Sequence, residues 1–295
     1  MARGCVQCQR CGRYGKRRSR YGSSGRNSGC GGHGGSCCQR FLGRACQGRR
    51  SADQAGRRRR YSHEHRPGGH GSEIVSGLPF DPGTLFAERC MAASGSVIKW
   101  FQNELAGGAS LDVLDKEAEL AGPGADGLVS LPYFLGEKTP IHDPHARGMF
   151  VGLHLGHKRG HLFRAILEGI GFGFYHHIET FAELGLTPQR VRITNGGSRS
   201  RVWRQIVADI SGLSLESIID HPGSSLGAAF AAGVGSGVLT GWDEIDKFIK
   251  VEERIEPNKG NTQQYQELYR VYRSIYPNLL EQQHQLARFS RALGD

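Results

Sequence analysis

Large apolar side chains and acids are scarce in the first 70 of the 295 residues. Only Met1, Val6, Tyr14, Tyr21, Phe41, Leu42 and Tyr61 come from the Val, Ile, Leu, Met, Phe, Trp and Tyr set, and the carboxylates are Asp53 and Glu64 alone. So little apolar surface cannot offset the roughly 1–2 kcal/mol per residue of backbone entropy that folding costs, which excludes a packed domain and predicts disorder over residues 1–71. An apolar stretch of the length a secretory signal needs is also missing from Met1–Ala45, and a cytoplasmic location is the expectation. Long apolar runs are lacking elsewhere too. The uncharged run of 22 residues from His221 to Trp242 holds six Gly, three Ser and a Thr, too poor a surface for lipid. It reads as a buried helix, and no membrane partner is expected.

What the first 70 residues do contain is 17 Lys and Arg, 15 Gly and seven of the eight Cys; the other 225 residues hold 21 Lys and Arg against 26 acids. The formal +10 therefore belongs to one end and is no nucleic-acid footprint for the rest. Cys5, Cys8 and Cys11 form overlapping CxxC pairs, and Arg57 to Arg60 with Tyr14, Tyr21 and Tyr61 could contact phosphates and bases. Against a zinc-bearing nucleic-acid tail, Cys30, Cys37, Cys38 and Cys46 supply no second CxxC, and no apolar residues support a finger. Seven cysteines is an odd number, and nothing suggests export, so a disulfide framework is equally poorly supported. The mixture of Arg, Gly, Cys and Ser is the one a GC-rich gene yields when translated out of frame.

From residue 72 to 295 the composition is that of a globular domain. Asp112 is placed to cap a short helix over 113–120, closed by Gly122-Pro123-Gly124. Segments 128–134 and 149–155 read as strands or extended chain. The longest periodic stretch is 158–184, where Leu162, Phe163, Ile166, Leu167, Ile170, Phe174, Ile178, Phe181 and Leu184 make one wide apolar face, ended by Gly185. A strand at 190–194 leads through Asn195-Gly196-Gly197-Ser198 into a helix over 198–212, with Val202, Trp203, Ile206, Val207 and Ile210 on one side. Then follow a strand at 213–219, a Gly/Ala helix at 224–235 and a polar helix at 263–289 interrupted at Pro277. Gly223/Gly227 and Gly233/Gly237 stand four apart, which predicts close approach of that helix to its neighbours. The alternation of strand and helix points to an α/β layered domain.

The turn Thr194-Asn195-Gly196-Gly197-Ser198-Arg199-Ser200 runs from a strand through two glycines to a helix start, so backbone N–H groups can face an anion without a Cβ in the way. It lacks the Walker A Gly-Lys-Ser/Thr and the dinucleotide GxGxxG, and taken alone is a plain tight turn as readily as a nucleotide site. Its neighbours supply context. Leu131-Pro132-Tyr133-Phe134-Leu135-Gly136-Glu137-Lys138-Thr139-Pro140, Asp143-Pro144, Ala146-Arg147-Gly148, Phe150-Val151-Gly152-Leu153 and His161 to Gly169 resemble a signature region of the FGGY carbohydrate kinases. Asn195 to Ser200 with Trp203, Gln205 and Ala208-Asp209 is similar to that family's adenosine motif, and Leu226-Gly227-Ala228-Ala229 to the helix after it. Met91 to Phe101 is similar to the opening of its C-terminal domain, and the Gly-Glu-Lys-Thr-Pro stretch looks most like the xylulokinase branch.

The resemblance implies an actin-like (ribonuclease H-like) ATPase domain, with a mixed sheet flanked by helices. It also implies ATP with Mg²⁺ in a cleft, and a sugar or polyol hydroxyl that takes the γ-phosphoryl group. Gly196, Gly197 and Ser198 match the adenine-side turn, Arg201 a position beside it, and Gly152 a glycine whose backbone approaches the nucleotide; Gly152 is equally readable as a strand end. The family's first phosphate loop and aspartate base have no match here, and Asp143 reads as a turn residue, so no catalytic residue is assigned. The expectation is a chain without turnover on its own, retaining weak adenine-nucleotide binding and an exposed cleft wall that favours self-association, with a homodimer as one form. The alternative is a nucleotide-binding module, or one tethered to nucleic acid by its basic tail. His154, His157 and His161 read as turn and helix-packing residues rather than a metal site. Glu137 reads as either a substrate contact or a solvated loop carboxylate.

Overall fold

The computed structural model describes residues 75–77, 86–194, 196–218 and 223–292; the basic segment 1–71, with its disordered or out-of-frame reading, lies outside them. Strands β1 (Val75–Gly77) and β2 (Phe86–Glu88) pair antiparallel and lead to α1 (Gly95–Trp100), which continues as one wider turn, Phe101–Leu105. Then come α2 (Leu111–Ala121), the antiparallel pair β3 (Val129–Leu131) and β4 (Met149–Val151), and α3 (Arg159–Glu183). The chain continues through β5 (Val191–Ile193), α4 (Arg201–Ser211), β6 (Leu215–Ser217), α5 (Ser224–Gly235), β7 (Glu253–Ile255), α6 (Lys259–Asn278) and α7 (Leu280–Ala292). Strands β5 and β6 are parallel and β6 and β7 antiparallel, which makes the expected mixed sheet.

Helix α3 is the centre of the core, and it differs from the single-faced helix that its periodicity predicts. Every residue from Phe163 to Phe174 is buried. The reason is that α3 packs against α2 and β3 as well as α4 and α6. Where it crosses β3 the approach is so close that a Cβ on Gly169 would lie 2.2 Å from the Ser130 carbonyl oxygen. A charged pair is buried with it: Arg164 Nε donates to Glu168 Oε1 at 2.6 Å, and Oε1 also accepts from Tyr265 OH at 2.7 Å and from the Gly124 amide at 2.9 Å. Arg164 reaches the Ala118 carbonyl and Tyr265 OH as well. This network joins the end of α2, α3 and α6. Along α6 the buried residues are Tyr265, Tyr269, Tyr272 and Ile275, one face at helical spacing.

Three local expectations are corrected. Helix α2 starts at Leu111 with Ser110 as its cap residue, and Asp112 lies in its first turn, where a carboxylate suits the positive end of the helix dipole. Helix α5 has the expected bounds but is not buried. Of its residues only Phe230 is, against Trp242 and Phe248, because small side chains offer little surface to bury. A Cβ on Gly223, Gly227 or Gly237 would meet open space, whereas one on Gly233 would strike Leu239 at 2.7 Å, so close approach holds at Gly233 alone.

Candidate nucleotide site

Val191 and Ile193 anchor β5 in the interior, and the chain leaves its end through one tight turn of 3₁₀ helix, Gly196–Arg199. Gly196 is exposed, Gly197 half-buried and Ser198 buried, while Arg199 and Arg201 are exposed. Helix α4 therefore begins at Arg201 and not at Ser198 as expected. Ser200 sets the start, because its Oγ accepts the Trp203 amide at 3.1 Å, a side-chain N-cap.

The same hydroxyl donates to the carboxylate of Asp115 on α2, whose pKa is raised because burial outweighs that bond. Asp115 thus ties α2 to the glycine turn, a role that no local pattern announces across 85 residues of chain. Trp203, Ile206, Val207 and Ile210 turn inward as expected. Arg204 is spent on Ser217 Oγ at 3.0 Å and Glu253 at 2.9 Å. Asp209 accepts from Gln205, the Asn258 amide and Asn261, which secures α4 to the start of α6. No described acid pairs with Arg199 or Arg201, so two cations stand at the positive end of a helix dipole, an arrangement that an anion would stabilise.

Gly152 lies on a different element, directly after β4, with φ +96°. A Cβ there would sit 2.7 Å from the Gly127 carbonyl oxygen, so the fold itself requires glycine. The following loop carries His154 and His157, which both face Asp126; among the described residues these three alone place ligand-type atoms within 4.8 Å of one another. Asp126 went unnoticed in the sequence because it lies 28 positions before His154. His161 lies beside His157, with ring centroids 5.4 Å apart, and its Nδ1 accepts the Lys158 amide at 3.0 Å, capping α3.

Glu137 is not the solvated loop carboxylate of one of its two readings. It is 5% exposed, and its Oε1 accepts the amides of Ala92 and Lys138, both at 2.7 Å. Burial pushes its pKa up to about 7, against the pull of those two amides. Asp143 holds the loop to the C-terminal helices: Oδ2 accepts from Tyr276 OH at 2.6 Å and His284 Nε2 at 2.7 Å, and Oδ1 from the His145 amide. Burial alone would raise its pKa, but these donors outweigh that and hold it below the usual carboxylate range. These bonds fasten the Asp143 loop to α6 and α7.

A profile described as the FGGY family of carbohydrate kinases, C-terminal domain, matches residues 62–236, more than half of the chain. A xylulose kinase of Bacillus subtilis is 35% identical over 185 residues, covering 62% of this chain and 37% of that protein. A gluconokinase of Bacillus licheniformis is 32% identical over 211 residues, 68% of this chain and 41% of that one. The crystal structure of xylulose kinase from Rhodospirillum rubrum aligns with a TM-score of 0.64 at 40% identity, over 69% of this chain and 41% of that one. The chain thus spans about two fifths of the length of these relatives.

Proposed function

Because the chain belongs to the FGGY family of carbohydrate kinases through its C-terminal domain, we propose that it supplies the adenosine-binding wall of an ATP-dependent sugar kinase. The observation that carries this reading is the turn Gly196–Arg199 between a buried strand and a Ser-capped helix, with Arg199 and Arg201 exposed beside it. Gly196, Gly197 and Ser198 would face the adenosine, and Arg201 would lie beside it. Gly152 would present its backbone to the phosphates. ATP brings Mg²⁺ with it as part of the substrate; Asp143 is fully engaged by three donors and is not assigned as its ligand.

The acceptor is a sugar or polyol hydroxyl, with a pentulose favoured by the match to xylulose kinases. Phosphoryl transfer is mostly positioning and charge neutralisation, and needs a base or water-positioning group near the acceptor. No described residue of this chain is assigned that role. Losing an acid–base group alone commonly removes on the order of 10²–10⁴ in rate, so the chain by itself should bind ADP without turning over sugar. Purified chain titrated with ADP, then assayed for ADP release with pentuloses, pentoses and polyols, tests both halves. Absence of ADP binding would sink the nucleotide reading. Robust turnover would sink the assignment of a half-site.

A further inference from the structure

We propose that Asp126, His154 and His157 form a hydrogen-bonded clamp, rather than a metal site, that positions the backbone of Gly152; its use in nucleotide binding rests on the reading above. Two histidines and a carboxylate at this spacing would suit a divalent metal by residue type. The ring nitrogens decide otherwise. The Gly156 amide donates to His154 Nδ1 and the His154 amide to His157 Nδ1, each at 3.0 Å. With both Nδ1 lone pairs used, the neutral rings carry their protons on Nε2. His154 Nε2 then donates to Asp126 Oδ2 at 3.1 Å, and His157 Nε2 to the Asp126 carbonyl oxygen at 3.2 Å. A metal on Nε2 would require Nδ1–H, set against a backbone N–H.

What the clamp holds is a costly backbone. Gly124, Ala125, Asp126 and Gly127 are four consecutive residues with φ of +81°, +46°, +57° and +80°, a region that alanine and aspartate enter at a penalty. Gly152 lies against Gly127 in this turn, and the two histidines fasten the chain that follows it. The loop 152–157 is therefore held to residues 124–127 by one close backbone contact and two imidazole donors.

Asp126 is the residue to change. Asp126→Asn keeps an acceptor and tolerates positive φ. Asp126→Gly relieves the backbone but removes the side-chain acceptor, so a merely structural role predicts equal or greater stability and nothing more. Amide hydrogen exchange and ADP affinity are to be measured on the full chain, with imidazole ¹⁵N shifts to read the tautomers. The expected result is wild-type behaviour in Asp126→Asn. In Asp126→Gly, exchange at residues 152–157 should be about tenfold faster and ADP binding about tenfold weaker, without loss of stability. His154→Ala, an exposed change, should reproduce the faster exchange. Unchanged exchange in both variants overturns the clamp. Faster exchange with unchanged ADP affinity overturns its role at the site, and failure of the wild type to bind ADP overturns the nucleotide reading alone. Micromolar binding of Zn²⁺ alone that is lost in His154→Ala would replace the clamp by a metal site.

Discussion

Glu137 carries a measurable signature of its burial. Its folded pKa stands near 7 and its ordinary value is 4.5, so the folded state holds this proton more tightly than the unfolded chain does. The stability it contributes is complete below about pH 4.5 and is lost as the pH rises through 7. Urea unfolding at pH 5 and pH 7.5 should therefore show a steeper decline for the wild type than for Glu137→Gln, which is neutral throughout. A difference in decline of about 2 kcal/mol between these two pH values follows from the size of the shift. Equal slopes would mean that the carboxylate is hydrated. Arg164 poses a different risk, because removing it leaves the enclosed Glu168 without its cation. Arg164→Ala should cost about 3–5 kcal/mol in a denaturant titration, whereas replacing Arg164 and Glu168 together by Met and Leu should cost markedly less.

Helix α7 is held by two polar latches that no apolar pattern reports. Gln283 is wholly buried and its Oε1 accepts the Arg147 amide at 2.8 Å, while His284 bonds Asp143. Pro277 lies in the last turn of α6, and the chain restarts as α7 at Leu280, so α7 depends on these contacts and on Ala287, which is also buried, to stay in place. Asp143→Ala should raise amide exchange across 280–292 by about tenfold while α3 keeps its protection. Equal exchange in the variant and the wild type would assign the docking of α7 to the Gln283 bond and packing, without the Asp143 latch. Helix α5 is the contrasting case: with Phe230 as its one buried residue, it relies on a single aromatic contact group, and Phe230→Ala should release it while leaving α3 and α4 protected.

At the scale of the molecule, the turn Gly196–Arg199, proposed above to face adenosine, is built by β5, α4 and α2, all beyond residue 110. A chain shortened to residues 72–295 should accordingly bind ADP as the full chain does, to within about twofold, since among the described residues the elements that build the turn all lie beyond residue 110. Salt-sensitive DNA or RNA binding by the full chain, lost on shortening, would give that end a role of its own. A shortened chain that lost ADP binding would tie the basic end to the site. Among the described residues no helix is long and apolar enough to cross a membrane, and the run His221 to Trp242 contributes the short, exposed α5 instead.

The sequence by itself determined what depends on neighbours along the chain: the bounds of α3 and α5, the stop signals at Gly122, Gly185 and Gly212, and the inward face of α4. The motif order also sufficed to identify the family. Tertiary structure alone decided which polar groups were enclosed. Glu137 reads as a substrate contact or a solvated loop carboxylate and Asp143 as a turn residue, yet one is buried against Ala92 and Lys138 and the other is gripped by helices more than 130 residues away. Asp115 and Asp126 carried no signal, because their partners Ser200 and His154 come from distant elements. Periodicity records which side of one helix avoids water. It cannot record that α3 is enclosed on every side from Phe163 to Phe174, since that follows from which elements pack around it and how closely glycine lets them come.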